Sequence, residues 1–316
     1  MHAAVVNVLG QAPRYQSFPE PEATDGEVLI RVKAAALHPI VKALASGSHY
    51  AGTSEVPAVP GVDGVGTLKD GSRIYFTFAR KPWGAIAERT VAPRSRCLPV
   101  PDGLDDVQAA AIANPGMSAW LSLKERARVA AGETVLILGA TGVAGQLAVQ
   151  VARQLGARRV IGAGRNVDAI SAADVDAVIA LDQPEEQVRE AFAAEVARGV
   201  DVVIDYLWGR PTELLLEALA KGFRASSTKA TRLVEVGESA GKSINLPGST
   251  LRSIDLTIMG SGFGSVDLDR IFAAIPTLFS MAAAGKLKVA VDSVPLAEVE
   301  QAWDRVAKGR RIVFVV

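Results

Sequence analysis

The sequence predicts an α/β protein of two units, a β-rich one followed by a doubly wound parallel sheet. Three observations predict it. The chain has 316 residues, more than one hydrophobic core commonly organises. Roughly the first hundred residues read as short strands set between Gly and Pro turn signals. From Thr134 onward, apolar strands and amphipathic helices alternate, which is the signature of a parallel sheet covered by helices.

In the first unit, residues 3–8, 27–34, 62–68, 72–78, 85–91 and 97–99 are rich in β-branched residues or bounded by Gly and Pro, and read as strands. Residues 39–46 suit a short connecting helix. Residues 104–114 read as a helix with Asp105 and Asp106 in its first turn, where the helix dipole favours them, and residues 118–129 as a second helix. Beyond, residues 134–138, 159–163, 177–181, 202–206, 232–236 and 256–259 read as strands. Residues 144–155, 185–197 and 211–220 read as the helices between them. In the first of these, Leu147, Val151 and Leu155 form one apolar stripe. Two further helices are expected over 268–284 and 296–308, then a strand over 311–316 that needs a sheet to join. The β-rich unit is its expected home. The domain expectation is therefore residues 1–115, completed by about 265–316, and residues 116–264.

Bulk composition excludes several classes. With 49% hydrophobic and 22% charged residues, the chain is an ordinary globular sequence. Lys plus Arg number 34 and Asp plus Glu 34, so no nucleic-acid or acidic partner is implied by charge. The single cysteine, Cys97, excludes an intramolecular disulfide and a Cys-rich zinc lobe, and fits a cytoplasmic protein. No apolar run is long enough to span a membrane, and residues 1–7 lack the basic start of a signal peptide.

The chemistry-bearing segment is 135–156. An apolar strand enters a turn in which Gly139, Gly142 and Gly145 stand three apart, and an amphipathic helix leaves it. The first glycine permits the tight turn, the second lets backbone approach a pyrophosphate, and the third lets helix and strand pack closely. The helix N-terminus then offers unpaired N–H groups to phosphate. An NAD site places Asp or Glu about 20 residues past the glycine run. Here the second strand ends in Gly164-Arg165-Asn166, with no carboxylate before Asp168. Arg165 offers a planar fork to a 2′-phosphate, so NADPH is the expected cofactor. Ligands of such sheets bind at the carboxyl ends of the strands, which adds Leu207, Trp208, Val236, Gly237, Gly260 and Ser261 to the expected site.

Several stretches resemble a known family. They are Ala36-Leu-His-Pro39, the run Val56-Pro-Ala-Val-Pro-Gly-Val-Asp-Gly-Val-Gly66, Gly71-Ser-Arg-Ile-Tyr75, Trp83-Gly-Ala-Ile-Ala-Glu88 and Asn114-Pro-Gly-Met-Ser-Ala-Trp120. With the glycine turn, they make the chain similar to the medium-chain dehydrogenase/reductase superfamily over nearly its whole length. Within it, the chain resembles the zinc-free quinone oxidoreductase, or zeta-crystallin-like, branch. The resemblance implies a GroES-like catalytic domain, a Rossmann domain, and dimers pairing edge strands, for which 256–259 is the candidate. It also implies Ser118 beside the nicotinamide, and Thr141, Gly142, Val143 and Ala144 under the pyrophosphate.

Zinc-dependent relatives carry Gly-His-Glu where this chain has Gly61-Val62-Asp63, and a cysteine near His38. Both ligand types are missing here, and no metal site is expected. Hydride transfer then favours an acceptor that is already electron-poor, a quinone or an enone, with a proton donor to follow. Tyr50, His38 and His49 are the candidates for that donor. His38 and Val41 replace the branch's usual Asn and Asp, and Ala43 and Ala45 its Tyr and Arg. His38 reads equally as a core or capping histidine. Three functions follow: an NADPH-dependent quinone reductase, an enoyl or alkenal reductase acting on a carbon–carbon double bond, and a non-catalytic NADPH-binding protein.

Overall fold

The computed structural model describes residues 1–48, 55–171, 173–222, 230–262 and 264–316. It divides into two units, Met1–Asn114 with Ile275–Val316, and Pro115–Ala274. The division falls inside the helix over Leu268–Ala283, so residues 265–274 group with the second unit.

The first unit is built around one long strand. Strands β1 (His2–Val5) and β2 (Arg14–Ser17) form a separate antiparallel pair. Strand β3 (Glu27–Ala36) alternates buried and exposed residues with the period of two that a half-buried strand requires. After it come α1 (Pro39–Ala45), β4 (Asp63–Thr67), β5 (Arg73–Thr77), β6 (Arg89–Pro93) and β7 (Cys97–Pro99). One edge of β3 pairs with β4. The other pairs first with β6 and then with the C-terminal strand. That C-terminal strand does return to the β-rich unit. Its core includes Ile30, Phe76, Trp303 and Phe314.

The second unit begins within α2 (Asp106–Trp120), which passes directly into a π-helical turn over Leu121–Arg126. Next come β8 (Thr134–Leu138), α3 (Val143–Gln154), β9 (Arg159–Gly164), α4 (Val167–Ser171), β10 (Ala177–Ala180), α5 (Glu185–Arg198) and β11 (Val202–Asp205). The unit continues with α6 (Gly209–Gly222), β12 (Thr231–Glu235), α7 (Gly248–Ser253), β13 (Leu256–Gly260) and α8 (Leu268–Ala283). The six strands are all parallel, in the order β10-β9-β8-β11-β12-β13. The order reverses between β8 and β11, and a doubly wound sheet binds its ligand at that switch. The strands are short apolar runs, as expected for a sheet buried on both faces.

Several expectations need correction. The two helices read over 104–114 and 118–129 are one helix plus the π-helical turn, with Pro115 inside it. Burial of Ala109–Ala113 and Ala119 outweighs the hydrogen bond that the proline removes. The helix read over 296–308 is a 3₁₀ turn at Leu296–Glu298 and the short α9 (Val299–Ala302). The apolar stripe ends at Trp303, since Val306 is 79% exposed and no face remains to bury. The strand read over 85–91 sits at β6. Strands β2 and β14 (Val291–Pro295) carry too few apolar residues to announce themselves, and are set by pairing with β1 and with β15 (Arg311–Val315).

A buried polar knot ties the first sheet together. His38, immediately before α1, is 1% exposed and caps nothing with its side chain. Its Nε2 lies 3.1 Å from Asp63 Oδ1 on β4, while the Tyr75 hydroxyl on β5 donates to Asp63 Oδ2 at 2.8 Å. Arg311 on β15 donates to the Leu37 carbonyl at 2.8 Å. Burial lowers the His38 pKa, Asp63 opposes that, and the Arg311 charge adds to it. Burial also brings Arg311 down to about 10. The ring is therefore neutral, with its Nε2–H given to Asp63 and a bare Nδ1.

A base with a lowered folded pKa is favoured neutral in the fold, so unfolding takes up a proton below the ordinary value of 6.5. Its stabilisation is complete above that pH and is lost as the pH falls. Thermal melts from about pH 7.5 to about pH 5 therefore fall for the parent protein and fall less for His38→Gln. An identical slope in the two proteins contradicts this account.

Candidate cofactor site

The glycine turn follows β8. Gly139 has φ +88°, the left-handed region, and a Cβ there would meet Tyr206 and Leu207 at 3.2 Å. Its N–H and that of Ala140 both donate to the Ala163 carbonyl on β9, at 2.9 and 3.0 Å. A Cβ on Gly145 would collide with the Gly139 carbonyl, so only glycine lets α3 start this close to the strand. Gly142 differs from both. It is the N-cap of α3 with φ −76° and ψ 158°, and the nearest atom to a Cβ there would be 3.5 Å away. Neither backbone nor packing demands glycine at 142, so its open side is free for a ligand.

No side chain caps α3, and its first turn has no acidic residue. The first-turn N–H groups of Val143, Ala144 and Gly145 have no intrahelical acceptor. They form a cradle for a phosphate anion, reinforced by the helix dipole. Gln146 donates from Nε2 to the Thr141 carbonyl at 3.0 Å and holds the turn in place.

At the end of β9, a Cβ on Gly164 would lie 3.0 Å from Thr141 Cγ2, so the two residues are neighbours. Arg165 is exposed, and no hydrogen bond or ion pair engages it among the described residues. Asn166 accepts from the Ala169 N–H at 3.1 Å and so caps α4. A free guanidinium beside a phosphate cradle fits the 2′-phosphate of NADPH.

The ends of the other strands are organised by Asp205, a residue the sequence reading missed. Its buried carboxylate accepts the N–H groups of Leu207 and Trp208 at 2.8 and 2.9 Å and the Thr212 hydroxyl at 2.5 Å. Those bonds hold Trp208 at φ +53°, a costly conformation for a bulky residue. Gly237 donates to the Asp205 carbonyl, and the Ser239 hydroxyl to the Tyr206 carbonyl, laying the segment after β12 over the end of β11. A cavity of about 300 Å³ opens beside Trp208, Glu235, Ile258, Met259 and Gly260. Burial, Asp205 and Glu238 raise the Glu235 pKa.

Ser118, on α2, faces the buried Tyr206 hydroxyl without a well-formed hydrogen bond. Burial outweighs Ser118 and pushes the phenol pKa up. The Ser122 hydroxyl donates to the Ser118 carbonyl at 2.7 Å and pairs with the Ser261 hydroxyl at 3.0 Å. The expected cofactor residues from Ser118 to Ser261 thus gather at the carboxyl end of one parallel sheet. Tyr206, Ser122 and Asp205 were missed because a lone hydroxyl or carboxylate carries no pattern of its own. The Asp-Tyr-Leu-Trp-Gly spacing after an apolar strand was the available sign of a turn built on an Asp.

Of the proposed proton donors, His49 and Tyr50 lie outside the described residues, and His38 is held in the knot of the first unit. Among the described residues, no group of three His, Cys, Asp or Glu side chains could hold a metal ion. Cys97 donates to the Pro93 carbonyl, and burial pushes its pKa up to about 11, so the thiol stays protonated and inert at neutral pH. No helix among the described residues is long and apolar enough to cross a membrane.

Comparison with known proteins agrees with this geometry. The family described as zinc-binding dehydrogenase matches residues 173–312. The Emericella nidulans protein named "Probable NADPH-dependent quinone reductase tdiC" is 28% identical over the full length of both chains. The trans-enoyl reductase pgmF of Aspergillus terreus is 29% identical over 60% of this chain, which spans 56% of that protein. Among solved structures, the quinone oxidoreductase of Thermus thermophilus, also solved as its NADPH complex, is 27% identical. It covers all of both chains with a TM-score of 0.81. These likenesses support a place for the chain on the zinc-free quinone oxidoreductase branch of the medium-chain dehydrogenase/reductase superfamily.

Proposed function

We propose that this protein is an NADPH-dependent, zinc-independent oxidoreductase that reduces a quinone or another electron-poor carbonyl acceptor. The observation that carries the reading is the uncapped, carboxylate-free N-terminus of α3 with the unengaged Arg165 one strand away. When bound, the cofactor supplies the hydride. The chain's own residues do the rest. Val143 and Ala144 hold the pyrophosphate through backbone N–H groups, and Arg165 holds the 2′-phosphate. Leu207, Trp208, Val236, Gly237, Gly260 and Ser261, with Ser118, shape the nicotinamide end. We assign the returning proton to Tyr50 or His49, since the His38 ring is sealed against Asp63.

The likeness to a trans-enoyl reductase favours a second reading, reduction of an α,β-unsaturated carbon–carbon double bond. The comparisons support an enzyme rather than a non-catalytic binding protein. We further propose a homodimer through β13, the terminal strand of its sheet, whose unpaired edge is suited to pairing with a second copy. The single thiol is consistent with a cytoplasmic setting.

The purified protein is expected to oxidise NADPH with 1,4-benzoquinone or with an enone, at a rate that chelators leave unchanged. A hydroquinone product supports the first reading and a saturated ketone the second. No turnover with either acceptor class contradicts both. Arg165→Ala is expected to weaken NADPH binding by roughly tenfold or more while leaving NADH nearly unaffected, because a charge-assisted phosphate contact is lost. Equal losses for the two cofactors contradict the assignment.

A further inference from the structure

The π-helical turn over Leu121–Arg126 has a role that the sheet and the glycine turn do not account for. It closes with the Ala127 N–H on the Ser122 carbonyl at 2.9 Å. Such one-turn insertions are costly and recur at functional sites. Two of its side chains reach the end of β13. Ser122, fully buried, pairs its hydroxyl with that of Ser261 at 3.0 Å. Arg126 donates from Nε to the Gly260 carbonyl at 2.8 Å and from Nη1 to the Ser265 carbonyl at 3.2 Å. The Ser261 N–H is fixed separately by the Glu235 carbonyl at 2.8 Å. Gly260 and Ser261 are thus pinned on three sides.

What they are pinned for is indicated by the glycines. A Cβ on Gly260 or Gly262 would meet nothing within 4 Å, and neither has a positive φ. Nothing in the protein itself requires glycine at either position. A buried serine and an arginine hold rigid a strand end whose own surface is left bare, at the carboxyl edge where a doubly wound sheet binds its ligand.

We propose that Ser122 and Arg126 are positioning residues for the nicotinamide end of the cofactor, acting through Ser261 and Gly260. This rests on the NADPH reading above. It makes a prediction that general stabilisation of the fold does not. The phosphate cradle of α3 and Arg165 stand on other elements, so a ligand lacking the nicotinamide should not feel the change.

The test is calorimetric titration of the parent protein, Ser122→Ala and Arg126→Lys with two ligands, NADPH and 2′-phospho-ADP-ribose, which is the cofactor without its nicotinamide. Each variant is expected to lose about fivefold in NADPH affinity, the scale of one or two hydrogen bonds, and to bind 2′-phospho-ADP-ribose as the parent does. Equal weakening of both ligands, or of neither, overturns the proposal. Ser122→Ala removes one oxygen and fills no new space, so it keeps the test decisive if Arg126→Lys folds poorly. Failure of the parent protein to bind either ligand is a different result, and it overturns the cofactor reading together with this one.

Discussion

The close approach of α3 to the turn after β8 is the constraint on which the second unit depends. The Gly139 carbonyl occupies the place a side chain at 145 would need. The helix can begin there only because both residues are glycine. Once it does, its free N–H groups stand at the end of the first strand, and the turn abuts Tyr206 and Leu207 at the end of β11. The phosphate cradle therefore stands beside the switch in strand order, which β8 and β11 make by pairing with each other. Asp205 extends the arrangement, since its carboxylate sets the path of Leu207 and Trp208, and its carbonyl receives the segment after β12.

Each unit ties some polar groups down and leaves others open. In the first, the hydrogen-bonding groups of Asp63 and Tyr75 are satisfied inside the knot, and the Cys97 thiol is also turned inward to a carbonyl. In the second, several polar groups are left available, namely the first-turn amides of α3, Arg165 and the buried Tyr206 hydroxyl. Unpaired buried atoms occur in both units, His38 Nδ1 and Arg311 Nε in the first and the Tyr206 hydroxyl in the second, so it is the uncapped first-turn amides of α3 and the exposed Arg165 that suit a ligand.

What the sequence made legible follows the physics of each signal. The glycine turn could be read because two of its glycines answer separate demands, a left-handed φ at Gly139 and close packing at Gly145, while Gly142 is left open. The parallel sheet could be read because buried strands are uninterrupted apolar runs. Strands β2 and β14 could not, because pairing rather than apolar content creates them. The break expected over residues 115–117 is absent because helix burial outweighs proline. Asp205, Tyr206, Ser122 and Arg126 were illegible for a further reason. Tyr206, Ser122 and Arg126 meet partners far along the chain, as Ser122 does Ser261, and single residues carry no periodicity to mark such pairs, whereas Asp205 bonds within its own turn, whose spacing was its one sign.

The proposed function requires Gly142 and the α3 N-terminus to hold the phosphates of NADPH. The most direct measurement is NADPH affinity, with melting temperature, for Gly142→Asp. The backbone at 142 is extended and open, so aspartate fits, and as an N-cap it satisfies an α3 amide. A melting temperature unchanged or slightly raised is expected, with an NADPH affinity reduced by roughly tenfold or more through like-charge repulsion and a blocked cradle. A variant that binds NADPH as tightly as the parent protein contradicts it.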